Sequence, residues 1–296
     1  MTGKQGAGWG LAVATCGAMS VAALAAQEEA VARFSSGVQA VEVYATVTDA
    51  SGEPVTGLKA GDFEITDDRK PQAVTTFAEG AFPLTVALGV DRSLSMRGEP
   101  LRLARAAAQG FLRELGPGDR SMVVAISAEA DVVAPLDAPR AAQIQAIAGL
   151  DAWSTTALRD AVVKTLDRLA PEPGRQALVV FSDGTDRYSQ IDSAEMLERA
   201  RRGAALVYPI VFGRAAVSIL SDVARLTGGR SFVLSDARGL DGALASIARE
   251  LRHQYLLGYA PAGTAEAGRW HPIQVRVRGQ EAKGLRVRAR DGYVAR

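Results

Sequence analysis

Five residues of this chain have the types and spacing to hold a hard cation. Asp91-Arg92-Ser93-Leu94-Ser95 sets one carboxylate and two hydroxyls at alternate positions, directly after the aliphatic run 84–90. A second aliphatic run, Leu178-Val179-Val180-Phe181, leads into Ser182-Asp183-Gly184 and another carboxylate. Between them, Ser154-Thr155-Thr156-Ala157-Leu158 places hydroxyls just ahead of a helical pattern. Alone, the DxSxS pattern is a modest signal, because Ser or Asp before a helix is often an N-cap. Two carboxylates meeting without a basic partner repel, so Asp91 and Asp183 need a shared proton or a cation between them. Carboxylates and hydroxyls are hard oxygen ligands that suit Mg2+, with Mn2+ as a substitute. If Ser93, Ser95 and Thr156 coordinate directly, and Asp91 and Asp183 directly or through water, the shell lacks a strong anionic ligand at one position. A partner's carboxylate can supply it.

Other chemistries fit less well. A phosphotransfer enzyme of the haloacid dehalogenase type wants a second acid two residues after the first, where this chain has Ser93. A serine hydrolase would need His253 or His271 as its base, both far along the sequence, and no GxSxG elbow is present. The single cysteine, Cys16, excludes disulfides, thiolate zinc sites and a cysteine nucleophile from the body of the chain. No catalytic residue is expected. Trp153 beside the second loop either rims a ligand surface or packs half-buried, and Gly228-Gly229 reads as a helix end.

The elements that must position these residues are short aliphatic runs alternating with amphipathic helical patterns across residues 83–252. Strands are expected over 84–90, 122–127, 177–182, 205–212 and 231–234. The first and third have almost no polar alternation, as central strands covered on both faces do. Leu101, Ala104, Ala108, Phe111, Leu112 and Leu115 follow helical spacing, as do Leu158, Ala161, Val162, Leu166 and Leu169. A last helix is expected over 240–252, with Leu240, Leu244, Ile247, Ala248 and Leu251 inward. The pattern implies an α/β fold, a doubly wound and mostly parallel sheet, in which ligands bind outside the carboxyl ends of strands.

Flanking this region the period drops to two. Val41, Val43, Ala45 and Val47 alternate with Glu42, Tyr44, Thr46 and Thr48, and Ile273, Val275 and Val277 alternate with Gln274, Arg276 and Arg278. Residues 38–82 and 253–296 are each near the length below which a chain rarely sustains its own core. They are expected to pair into one discontinuous β-sandwich, into which the α/β domain is inserted. Arg276, Arg278, Arg286, Arg288 and Arg290 read as a solvated face.

The motif set DRSLS, STTAL and FSDG resembles the metal-ion-dependent adhesion site (MIDAS) of von Willebrand factor type A domains, over residues 83–252. The flanks VTDASGEPVTGLKAGDFEITDDRKPQ, YLLGYAPAG and RVRARDGY are similar to bacterial secreted VWFA-related domain proteins of the acidobacterial type. The resemblance implies Asp91, Ser93 and Ser95 as first-loop ligands, Thr156 as the second-loop hydroxyl and Asp183 as the third-loop carboxylate. It implies a noncatalytic module that binds an acidic side chain of a protein partner through the metal. The family often has Gly-Gly before the loop threonine where this chain has Ser154-Thr155, which leaves Thr155 as the alternative to Thr156. The competing reading is a structural protein whose sandwich mediates assembly and whose metal site is unused.

Composition sets the remaining bounds. Of 296 residues 48% are hydrophobic, and 34 Lys and Arg face 33 Asp and Glu, which gives no bulk attraction to nucleic acid. Residues 1–26 carry one charged side chain, Lys4, then an uncharged Ala- and Gly-rich segment ending Ala23-Leu24-Ala25-Ala26. That is the order of a secretory signal, so a periplasmic or extracellular mature chain without a membrane span is expected. The competing reading is an uncleaved membrane anchor, disfavoured because the segment has few strong aliphatics, and lipidation through Cys16 is weaker still, because Thr15 is bulky for the residue before a lipidated cysteine.

Overall fold

Val41, Val43, Ala45 and Val47 are all buried on one face of β1 (Val41–Thr48), as alternation requires of a strand packed against another sheet. The computed structural model describes residues 40–213, 218–234, 238–261, 266, 268–279 and 284–295. The expected export segment and Cys16 lie outside the described residues, and residues 39–296 form one compact unit. β2 (Phe63–Asp67) and β3 (Lys70–Gln72) make a hairpin closed by Asp68 and Arg69, whose φ of 48° and 66° match the turn that follows strand twist. β4 (Thr76–Gly80) completes the N-terminal block.

Strand and helix then alternate: β5 (Leu84–Asp91), α1 (Glu99–Glu114), β6 (Arg120–Ile126), β7 (Ala130–Ala134), α2 (Arg140–Ala148), α3 (Leu158–Leu169), β8 (Arg175–Ser182), α4 (Ser193–Arg202), β9 (Leu206–Phe212), α5 (Ser218–Thr227), β10 (Phe232–Leu234) and α6 (Arg238–Arg252). β5, β8 and β9 are buried at every position, the environment their unbroken apolar runs demand. The sheet order is β10-β9-β8-β5-β6-β7, parallel throughout except at β7. That antiparallel edge strand gave no clear signal, because Ala130-Asp131-Val132-Val133-Ala134 is short and half exposed. Helices α1, α2 and α6 pack on one face of the sheet, and α3, α4 and α5 on the other. Among the described residues no helix is long and apolar enough to cross a membrane.

The last strands, β11 (Gln254–Tyr259), β12 (Trp270–Val277), β13 (Arg286–Arg288) and β14 (Gly292–Val294), return to the N-terminal block. They make two antiparallel sheets, ordered β13-β1-β11-β4 and β14-β12-β2-β3. Val41 pairs with Tyr259 and Ile273 with Asp67, so both sheets are built from the two ends of the chain, as expected. Gly80 pairs with Gln254: the chain leaves this sheet and re-enters it on neighbouring strands, with the α/β layer between.

Thr46 and Thr48, on the other face of β1, are buried as well, and the Thr46 hydroxyl accepts from Gln254 Nε2 at 3.1 Å. One expectation is corrected. The arginines do not form one solvated stripe. Arg276 and Arg286 are exposed, but Arg288 lies 2.6 Å from the buried Glu250 carboxylate of α6, and Arg290 donates to the Gly292 carbonyl at 2.6 Å. Gly228 does follow a helix, with φ 85°. It and Gly229 also let backbone pass close by: a Cβ would stand 2.7 Å from Ala289 C at Gly228, and 2.1 Å from the Val207 carbonyl oxygen at Gly229.

Candidate functional site

β5 and β8 are parallel neighbours at the centre of the six-stranded sheet. The helix that follows β5 covers one face, and the helix that precedes β8 covers the other. Winding therefore reverses between these two strands, where α/β sheets bind their ligands. β5 ends on Asp91, and β8 ends one residue before Asp183.

Asp91 has no exposed surface. Its Oδ1 accepts the Ser93 N–H at 2.9 Å, and its Oδ2 accepts the Ser182 hydroxyl at 2.6 Å. Ser93 is equally buried, and its Oγ lies 3.1 Å from the Oγ of exposed Ser95. On the third loop, Gly184 N–H donates to Ser182 Oγ and Thr185 N–H to Asp183 Oδ1, both at 2.9 Å. Gly184 takes φ 78°, a left-handed turn that favours glycine.

Backbone bonds stitch the three loops together. Trp153 N–H donates to the Arg92 carbonyl (2.7 Å) and Leu94 N–H to the Ser154 carbonyl (3.0 Å), which joins the first loop to the second. The Thr156 carbonyl accepts from Arg187 (3.0 Å) and Tyr188 (3.1 Å), which joins the second to the third. Thr156 is buried and Thr155 half-buried. Ser154 holds φ 63° in the position where the resemblance leads one to expect glycine. Asp91, Ser93 and Ser95 are thus in direct succession, with Asp183 joined to Asp91 through Ser182. The Thr156 hydroxyl makes no hydrogen bond to the other four among the described residues.

Burial pushes the Asp91 carboxyl up to about 6. The Ser182 and Ser93 hydrogen bonds oppose the shift, and the charge of Asp183 adds to it. Among the described residues no lysine or arginine ion-pairs with either carboxylate; nearby Arg159 is held by Asp186 at 3.2 Å. Hydroxyls and carboxylates converging without a cationic side chain are a donor set that fits a hard divalent ion.

Sequence reasoning missed the residues that brace the loops. Ser182 bonds Asp91, Asp186 accepts the Arg159 N–H (2.9 Å), and Asp160 accepts the N–H groups of Gln190 (3.0 Å) and Ile191 (3.1 Å). Asp160 in the first turn of α3 was the available signal, since acids there meet free N–H groups.

Another polar cluster lies in the sandwich. Asp67, Asp68 and His271 bring their ligand atoms within 4.8 Å of one another. Asp67 Oδ2 accepts from Tyr259 (2.9 Å) and Tyr293 (3.0 Å), and His271 Nδ1 lies 2.9 Å from Asp68 Oδ2. These contacts engage Asp67, Asp68 and His271 Nδ1 around the β2–β3 turn, while His271 Nε2 is buried without a hydrogen-bond partner among the described residues.

Residues 86–185 match the family model for the von Willebrand factor type A domain. This region is a von Willebrand factor type A domain. Its fold agrees with a solved von Willebrand factor type A protein from Catenulispora acidiphila at a TM-score of 0.51, with 15% identity, over 88% of this chain and 75% of that one. Proximal thread matrix protein 1 of the mussel byssus gives 0.51 at 16% identity, over 63% of this chain and 51% of that one. A UPF0353 protein of Mycobacterium leprae is 27% identical over 219 residues, 62% of this chain. The chain spans 65% of the length of that relative. The type A domain places its three loops at the carboxyl edge of β5 and β8, with β1–β4 and β11–β14 paired outside it.

Proposed function

We propose that the three loops form a MIDAS-type divalent-cation site, held by Asp91, Ser93, Ser95, Thr156 and Asp183, through which this protein binds an acidic group of a protein partner. One observation carries the reading: Asp91 is a fully buried carboxylate whose partners are a hydroxyl and an amide and whose charged neighbour is another carboxylate. A buried anion needs compensation, and Mg2+ or Mn2+ would supply it while leaving a coordination position for the partner's carboxylate. The burial of Thr156 beside half-buried Thr155 favours Thr156 as the second-loop ligand. Type A domains serve as protein-interaction modules, and the role proposed here is binding without catalysis. The exported location rests on the signal-like residues 1–26.

Calorimetric titration with Mg2+ and Mn2+ tests the site. Asp91→Ala and Asp183→Ala each remove an anionic ligand and should abolish or severely weaken binding, whereas Ser95→Ala removes a neutral one and should weaken it less. Undiminished affinity in both aspartate variants would overturn the site. Cell fractionation bears on the location: a cytosolic protein retaining residues 1–26 would remove the exported part of the reading. Partner capture that ignores the metal would move the binding role to the sandwich.

A further inference from the structure

Among the described residues five large apolar side chains are exposed, and three of them sit one on each loop of the candidate site. Leu94 (51% exposed) stands between Ser93 and Ser95, Trp153 (64%) precedes Ser154, and Tyr188 (60%) follows Asp183 on the third loop. The other two, Val133 and Val233, lie on the strands at opposite edges of the six-stranded sheet. Scattered exposed apolar residues need no explanation, but a set gathered around one site does. Each of the three is also fixed by its own backbone: the N–H of Leu94 donates to Ser154, that of Trp153 to Arg92 and that of Tyr188 to Thr156. Loops joined in this way hold the rim ready before a partner arrives, which lowers the ordering cost of binding. Arg92, Arg97 and Arg187 belong to the same loops, and none of them ion-pairs with a carboxylate among the described residues.

We infer that the group recognised here is an Asp or Glu side chain set among apolar residues on a protein segment, and that Leu94, Trp153 and Tyr188 select those flanking residues. This rests on the metal-site reading above. The carboxylate would complete the metal shell, the apolar neighbours would cover the rim, and the arginines would favour further acidic charge. Aromatic anchors around a desolvated centre are where interface energy concentrates.

The test is selection of phage-displayed random peptides on the full chain in Mg2+, followed by fluorescence anisotropy of the best synthetic peptide. Enriched sequences should hold Asp or Glu flanked by aromatic or aliphatic residues. Trp153→Ala and Tyr188→Ala should each weaken the peptide at least tenfold, and roughly thirtyfold for Trp153, while Mg2+ affinity by calorimetry stays unchanged. Acidic peptides without apolar flanks, affinity unmoved by both rim variants, or no enrichment at all would overturn the inference and leave the metal site standing. Peptide binding that survives EDTA and Asp183→Ala would overturn the metal reading itself, and the inference with it.

Discussion

A carboxylate with no exposed surface is costly to hold as an anion, and Asp91 carries that cost at the centre of the loops. Its folded pKa, about 6, lies above the ordinary aspartate value of 3.8. The folded state thus binds a proton between these values that the unfolded chain has already released. Stability from this group is therefore full below about pH 4 and lost as pH rises through 6. In EDTA at pH 7.5, Asp91→Asn should stabilise the fold, by up to roughly 3 kcal/mol given a carboxyl pushed up to about 6, and should flatten the pH dependence. In excess Mg2+ the order should invert, because the wild type gains binding energy that the amide cannot. Urea denaturation under both conditions checks it, and an amide variant less stable in EDTA at pH 7.5 would refute the account. At this scale the sequence was informative: Asp91 and Asp183 stand where aliphatic runs end, and such runs are strands whose ends line a site. Ser182 was not legible, since its hydroxyl reaches Asp91 across the sheet, between residues 91 positions apart.

Among the elements, α6 shows how much a periodic pattern tells and where it stops. Leu240, Ile247 and Leu251 are buried as their spacing requires, with Leu244 partly so. The same stripe buries Glu250 completely, between Arg230 at 3.4 Å and Arg288 at 2.6 Å, the latter contact close but misaligned for a hydrogen bond. No periodicity reveals that an inward glutamate has its partners on β13 and ahead of β10. The C-terminal carbonyl of Leu251 is likewise taken by the buried guanidinium of Arg175 rather than by the adjacent His253. Removing one member of a buried pair leaves the other uncompensated, so Glu250→Ala should cost roughly 3 kcal/mol. Replacing both charges, as Glu250→Leu with Arg288→Met, should recover most of that loss, since apolar substitutes avoid the desolvation cost. Equal destabilisation of the single and double variants in chemical denaturation would count against Arg288 as the partner that matters.

For the whole molecule, what decides is that neither end of the chain can build its sandwich alone. Strand texture at both ends, each too short for its own core, made the pairing legible. Register was not, because alternation fixes which face is buried and says nothing of the neighbour. The same limit hid the burial of Thr46 and Thr48 on the second face of β1. The sandwich core takes Val41, Val43, Ala45, Val47, Phe63 and Ile65 from one end, and Tyr255, Leu257, Tyr259, Ile273, Val275, Val277, Tyr293 and Ala295 from the other. Truncation after Arg252 removes more than half of these side chains, both neighbours of β1 and the long partner of β2. What remains outside the α/β layer is one short hairpin and two unpaired strands, which cannot persist in water. The α/β layer keeps its six strands and both helical faces, and loses the Arg288 contact to buried Glu250, the Gln254 contact to Arg175, the Asp291 N–H to the Leu226 carbonyl and Arg201 over Trp270, which lowers its stability without removing an element. Limited proteolysis of the truncated chain, read by mass spectrometry, should therefore cut first within residues 40–82 and leave a fragment of about residues 83–252. Cleavage of residues 40–82 no faster than in the full chain would show that the N-terminal strands hold without their partners, and the shared core would have to be abandoned.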